Sequence, residues 1–79
     1  MDKSNIIIEV SKIFNEVLDR DDIVLNESTT ANDIEEWDSL AHIHLVVAIE
    51  RYFKIRFTSK EIQSWDNLGE LVDSIQKKL

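Results

Sequence analysis

The chain contains no cysteine, no proline and a single glycine, Gly69. Without cysteine it can form no disulfide, no cysteine-ligated zinc site and no cysteine nucleophile. Any thioester that it carries must therefore use the thiol of a prosthetic group. A sequence with no proline and one glycine favours helices and disfavours a sheet joined by tight turns. Its longest early apolar run, three isoleucines, is too short for a signal peptide or a membrane span, so we expect a cytoplasmic protein.

Basic residues are also scarce. Nine Lys and Arg stand against sixteen Asp and Glu, which gives a net charge of −7 over 79 residues. This charge repels nucleic acid and anionic membranes, and it favours partners that have basic patches. The length and a hydrophobic fraction of 43% suit one small core. We therefore expect one domain spanning residues 1–79, monomeric and not bound to nucleic acid.

The first half of the chain predicts one helix and one long loop. Apolar residues at helical spacing predict a helix over residues 5–18, with Ser4 as its N-cap. Residues 20–37 show no steady periodicity, which predicts an unusually long loop. Four apolar residues are expected to anchor this loop to the core: Ile23, Val24, Leu25 and Ile34.

The second half predicts three helices. The one over residues 40–53 is apolar almost all round, and so small a domain cannot cover both of its sides, so we expect one apolar strip at the surface. A short helix capped by Ser59 runs through Ile62. A last helix begins at Asn67, with Glu70 placed as in a capping box. The predicted fold is an all-α four-helix bundle with a long first loop and a short third helix.

Asp38 and Ser39 stand at the start of the most apolar helix. Asp38 is a good N-cap residue, which places Ser39 at the first helical position with its hydroxyl at the surface. The positive end of a helix dipole favours an anion. Ser39 is therefore a candidate for carrying a phosphorylated group, although this geometry does not identify the group.

Ser39 and His42, three residues apart, also raise the possibility of Ser-His catalysis. Such a site needs a third group that orients the histidine and a cleft for the substrate. Asp38 is more useful as a cap, so we expect a partly buried structural histidine and no catalytic residue. His42 and His44 point to different sides of the helix and cannot chelate one metal ion together, so we expect no metal site.

Residues 33–43, DIEEWDSLAHI, are similar to the acyl carrier protein family, and in particular to stand-alone carriers with Trp before Asp-Ser-Leu. The resemblance continues through the apolar positions of the second helix and covers nearly the whole chain. It implies that a phosphopantetheinyl transferase attaches a 4′-phosphopantetheine arm from coenzyme A to Ser39, between Asp38 and Leu40. Carriers of this type often have glycine before the Trp, where this chain has Glu36.

The resemblance further implies a protein that catalyses nothing and carries acyl or related intermediates as thioesters. Acyl-loading and acyl-transferring enzymes of fatty-acid, polyketide or related biosynthesis would be its partners. A strip on the second helix is predicted to bind them: Leu40, Ile43, His44, Val47, Glu50 and Arg51. Candidate residues lining an acyl pocket are Val46, Phe57, Ile62, Trp65 and Leu71. Two alternatives stay open: an aminoacyl or peptidyl carrier with the same arm, and an unmodified helical adaptor.

Overall fold

The computed structural model describes residues 2–79 as four helices and one 3₁₀ turn. The elements are α1 (Lys3–Val17), the 3₁₀ turn (Ala31–Asp33), α2 (Ser39–Phe53), α3 (Ser59–Ser64) and α4 (Leu68–Lys78). The described residues contain no strand. The prediction of an all-α bundle with a long first loop and a short third helix is confirmed.

The core lies where α1 packs against α2 and α4. Each of these helices contributes one stripe of apolar side chains at helical spacing, and the stripes meet in the interior. Burying one such side chain fully stabilises the fold by about 1.5–3 kcal/mol. The largest fully buried side chains are Phe14, Ile6, Leu45, Ile49, Leu68, Leu71, Ile75, Val10 and Val72.

The long loop is fastened to this core by alternating side chains. Ile23 and Leu25 are buried, but Val24 between them is 85% exposed, so the prediction that Val24 anchors the loop is wrong. In an extended segment neighbouring side chains point to opposite sides, and only one side faces the core. Asn15 of α1 holds the same segment, because its side-chain amide bonds both the N–H and the carbonyl of Ile23, at 2.9 and 3.2 Å.

Two helix caps differ from the predicted ones. The N-cap of α1 is Asp2, whose carboxylate accepts a first-turn N–H at 2.9 Å, and not Ser4. The N-cap of α3 is Thr58, and not Ser59. Thr58 forms a capping box with Glu61, in which each side chain accepts the other residue's backbone N–H, at 3.1 and 2.9 Å. The reciprocal glutamate makes Thr58 the stronger cap.

The start of α4 binds the long loop directly. Asn67 caps the helix as predicted, but no capping box forms, because the Glu70 carboxylate accepts the N–H of Asp66 at 2.7 Å and not that of Asn67. The N–H groups of Leu68 and Gly69 donate to the carbonyls of Thr29 and Glu27, at 2.8 and 2.9 Å. A Cβ atom on Gly69 would lie 2.9 Å from the Glu27 carbonyl oxygen. The glycine is therefore required by this close approach, and its φ angle is not in the left-handed region.

Candidate functional site at the start of α2

Asp38 and Ser39 form the start of α2 as predicted. Asp38 has an extended backbone, and its carboxylate accepts the N–H of Ala41 at 2.8 Å. Ser39 is the first helical residue, and its side chain is exposed. The N–H groups of Ser39 and Leu40 precede the first intrahelical bond, which His42 makes to Asp38. Two unpaired donors therefore surround the Ser39 position at the positive end of the helix dipole.

A surface salt bridge joins the segment in front of Ser39 to the residues after α1. The Arg20 guanidinium contacts the Glu36 carboxylate at 3.0 Å and the Asp22 carboxylate at 2.8 Å. Its hydrogen bonds to Asp22 lower the pKa of that carboxyl below its usual value. Among residues 2–79, positive φ angles occur at Asp19 and Lys54 only. Glu36 therefore adopts no conformation that would require the glycine found there in similar carriers.

His42 is held between two tryptophans. The indole N–H of Trp37 donates to its Nδ1 at 3.1 Å, and the two rings lie edge to edge in nearly parallel planes, with centroids 6.1 Å apart. Trp65 meets the other side of the imidazole edge-on at 6.0 Å. An Nδ1 that accepts a hydrogen bond carries no proton, so this arrangement uses the Nε2–H tautomer. The prediction of a half-buried structural histidine is confirmed.

A groove of about 660 Å³ opens beside Ser39, between the start of α2 and the segment that joins α3 to α4. Of the candidate acyl-pocket residues, Ile62, Trp65 and Leu71 line it. Val46 is buried away from the groove, and Phe57 lies behind Trp65, with the ring centroids 4.9 Å apart. These two therefore do not line the groove. The full lining is Ala31, Trp37, Asp38, Ser39, His42, Ile43, Ile62, Gln63, Trp65, Asp66, Asn67 and Leu71.

Several lining residues were not found by sequence reasoning. Ala31 reaches the groove because the loop forms a 3₁₀ turn, at whose start the Asp33 carboxylate accepts the N–H of Thr30 at 2.9 Å. Thr30 followed by Asp33 has the spacing of a capping box and could have indicated this turn. Gln63 and Asp66 line the groove on the opposite wall.

One apolar strip of α2 lies at the surface, as predicted. Leu40, Ile43 and Val47, here called the exposed strip, are 65%, 58% and 41% exposed. The sequence predicts that the Glu50 carboxylate is free to contact a partner enzyme, and the structure differs from this prediction. Glu50 is half-buried, and its carboxylate accepts the N–H of Phe57 at 2.8 Å, which joins the end of α2 to the connector before α3.

Within residues 2–79 no three His, Asp or Glu side chains come together in a way that could hold a metal ion. None of the helices in that part of the chain has the length and apolar content needed to cross a membrane.

Two comparisons with known proteins bear on the start of α2. The family model described as "Phosphopantetheine attachment site" matches residues 9–75. The solution NMR structure of holo acyl carrier protein from Geobacter metallireducens is similar in sequence and fold, with 44% identity and a TM-score of 0.86. The match covers 91% of this chain and 83% of that chain. Residues 38–40 lie inside the range that the family model matches.

Proposed function

This chain belongs to the acyl carrier protein family, and on that premise we propose that Ser39 carries its 4′-phosphopantetheine arm. The protein is a carrier and not an enzyme, and the covalently attached arm supplies the thiol that forms thioesters. Family membership sets aside the alternative of an unmodified adaptor. The observation that supports Ser39 is its exposed hydroxyl at the first position of a capped helix, within the Asp-Ser-Leu motif.

The residues around Ser39 fit a phosphodiester. The unpaired N–H groups of Ser39 and Leu40 can donate to phosphate oxygens, and the helix dipole favours the negative charge. Asp38 occupies a different first-turn donor, the N–H of Ala41, and so leaves these two available. Trp37 is buried against Phe14 of the core and fastens the preceding segment there, so the attachment point has a defined position.

We propose that the cargo is an acyl group of fatty-acid, polyketide or related biosynthesis. The groove beside Ser39 supports this, because Trp37, Ile43, Ile62, Trp65 and Leu71 give it largely apolar walls that suit an alkyl chain. Aminoacyl or peptidyl cargo is the alternative outcome of the test below.

Partners implied by the family are a phosphopantetheinyl transferase and enzymes that load and unload the acyl group. We propose that they contact the exposed strip, Leu40, Ile43 and Val47, together with His44. The strip begins beside Ser39, so an enzyme bound there has the arm within reach. Tethering then raises the effective concentration of the acyl group at the enzyme.

We also propose that the protein works as a cytoplasmic monomer. Its net charge of −7 disfavours self-association, and a chain without cysteine gains nothing from an oxidising compartment.

The attachment site is tested by intact mass after incubation with coenzyme A, magnesium and a broad-specificity phosphopantetheinyl transferase. We expect the wild-type chain to gain the mass of one arm and Ser39→Ala to gain none. Ser59→Ala is the matched control, because Ser59 is also an exposed first residue of a helix. An arm that persists in Ser39→Ala, or disappears only in Ser59→Ala, contradicts the assignment. Weighing the protein isolated from its native cells then identifies the cargo as acyl or aminoacyl.

A further inference from the structure

A cleft of about 560 Å³ lies at the other end of α2, away from Ser39. Three cationic residues line it: Arg51 in the last turn of α2, Lys54 at its C-cap and Arg56 in the connector. The cleft is completed by Val47, Glu50 and Ile55, and the whole set is here called the cationic cleft. Three cations in one cleft are unexpected in a chain whose net charge is −7.

The three cations have no ion-pair partner within the described residues. Four other cations each contact a carboxylate within 4 Å: Lys3, Lys12, Arg20 and Lys78. The cleft contains one carboxylate, that of Glu50, and the N–H of Phe57 already engages it. Three cations against one carboxylate leave the local charge positive, and no carboxylate of the described residues lies within 4 Å of the cationic groups.

Stabilisation of the helix end does not account for this cluster. A cation near a helix C-terminus stabilises the helix only modestly, and the effect fades within the last turn. Arg51 lies in the last turn and can stabilise the helix end in this way, whereas Arg56 lies beyond the end of the helix. The backbone also contributes at this end, because the N–H groups of Lys54 and Ile55 both donate to the Glu50 carbonyl.

We propose that the cationic cleft binds an acidic segment of the enzymes that dock on this carrier, a proposal that rests on the carrier function above. Arginine pairs with carboxylates through two parallel hydrogen bonds, and two arginines line the cleft. Val47 belongs both to the cleft and to the exposed strip, so the two surfaces are continuous. An enzyme that covers the strip therefore also meets the cations.

The segment before the other end of α2 is acidic. Glu35 and Asp38 are exposed there, and Glu36 pairs with Arg20, while Arg51 is twelve residues beyond Ser39. At 1.5 Å per residue, Ser39 and Arg51 are about 18 Å apart along the helix. The complementary enzyme surface has a basic patch beside the arm and an acidic patch about 18 Å away. Reversed docking would bring like charges together, so this pattern fixes the orientation of the complex.

The proposal is tested with the full-length holo protein and a short acetylated peptide of alternating glutamate and leucine. Backbone amide shifts are followed by NMR during the titration. We expect shifts confined to residues 47–56, and no shifts with the same peptide in which glutamine replaces glutamate. Arg51→Glu should weaken peptide binding at least about tenfold, which corresponds to the loss of one strong charged pair. Arg56→Gln, outside the helix, should weaken it in the same direction.

Lys60→Glu and Lys77→Glu are matched controls, because both lysines are exposed, lie outside the cleft and have no carboxylate within 4 Å. Equal weakening by all four substitutions would show nonspecific charge attraction and overturn the proposal, as would an absence of binding. Inorganic phosphate is titrated in parallel, and phosphate shifts as large as the peptide shifts would overturn the assignment to a protein segment. Mass gain at Ser39 is measured on each variant, so failure of the carrier function is detected separately.

Discussion

The indole N–H of Trp37 donates to Nδ1 of His42 across 3.1 Å, and this bond joins the end of the long loop to the first turn of α2. The Trp37 ring is buried, with its edge against Phe14 of α1 at a centroid distance of 4.9 Å. Asp38 and Ser39 lie between the two bonded residues. The position of Ser39, the proposed attachment residue, is therefore set by contacts that reach through the core to α1.

The first prediction concerns this bond. Trp37→Phe removes the donor and leaves the His42 acceptor without its partner, so the free energy of unfolding should fall. In a double-mutant cycle with His42→Phe, the coupling energy should be about 1 kcal/mol. Urea unfolding of the four proteins measures it. Tyr52→Phe combined with His42→Phe is the control cycle, because Tyr52 bonds Glu9 instead. Additive effects in the Trp37 cycle would show that the bond contributes nothing.

The second prediction concerns the helix cap. Asp38→Ala removes the acceptor for the Ala41 N–H and should lower the free energy of unfolding by about 1 kcal/mol. Asp38→Asn keeps an acceptor oxygen and should retain most of that stability. We also expect Asp38→Ala to slow the modification of Ser39, because the first turn that presents the hydroxyl becomes less ordered. Unchanged melting together with an unchanged modification rate would exclude both roles.

The third prediction concerns Gly69. In an exposed helix, replacing glycine by alanine stabilises by about 1 kcal/mol. Here the new Cβ would lie 2.9 Å from the Glu27 carbonyl oxygen, and forcing extra atoms into a packed site costs about 1–3 kcal/mol. We therefore expect Gly69→Ala to lower the free energy of unfolding, measured in urea.

The exposed α4 substitution Gln76→Ala serves as the control for Gly69→Ala and should be nearly neutral. A Gly69→Ala protein more stable than wild type would show that the loop carbonyl moves aside at no cost.

The fourth prediction concerns pH. Hydrogen bonding by the Thr58 backbone N–H, and then by Lys78, lowers the pKa of Glu61 below its usual value. A lowered folded-state pKa contributes stability that is present above the unfolded value and is lost as the pH falls through the folded value. The wild-type protein should therefore have a higher melting temperature than Glu61→Gln at neutral pH. This difference in melting temperature should disappear below pH 4.5. A difference that is constant with pH would contradict this linkage.

The start of α2 could be predicted because its determinants are adjacent in sequence. Asp38 has no competing cap nearby, and the apolar residues of α2 mark the helix clearly. At α1 and α3 two cap residues lie close together, and propensity alone does not choose between Asp2 and Ser4. The Thr58–Glu61 capping box was available in the sequence and was missed.

Contacts between residues distant in sequence could not be predicted. The Arg20–Glu36 salt bridge spans sixteen residues of a loop without periodicity. Helical spacing shows on which face of α2 Glu50 lies, and so it predicts a docking carboxylate. It does not show that the connector after the helix donates a backbone N–H to that carboxylate. The placement of Val46 and Phe57 away from the groove likewise depends on how α2 and the connector pack.

Both tryptophans of the chain line the groove beside Ser39. The tryptophan fluorescence of this protein therefore originates at the walls where the arm and its cargo would lie, with no background from indoles elsewhere. Trp37 is buried, and Trp65 donates its indole N–H to Ser74 at 2.9 Å on the other wall. A change in the tryptophan emission of the unlabelled wild-type protein thus reports that a group enters or leaves the groove.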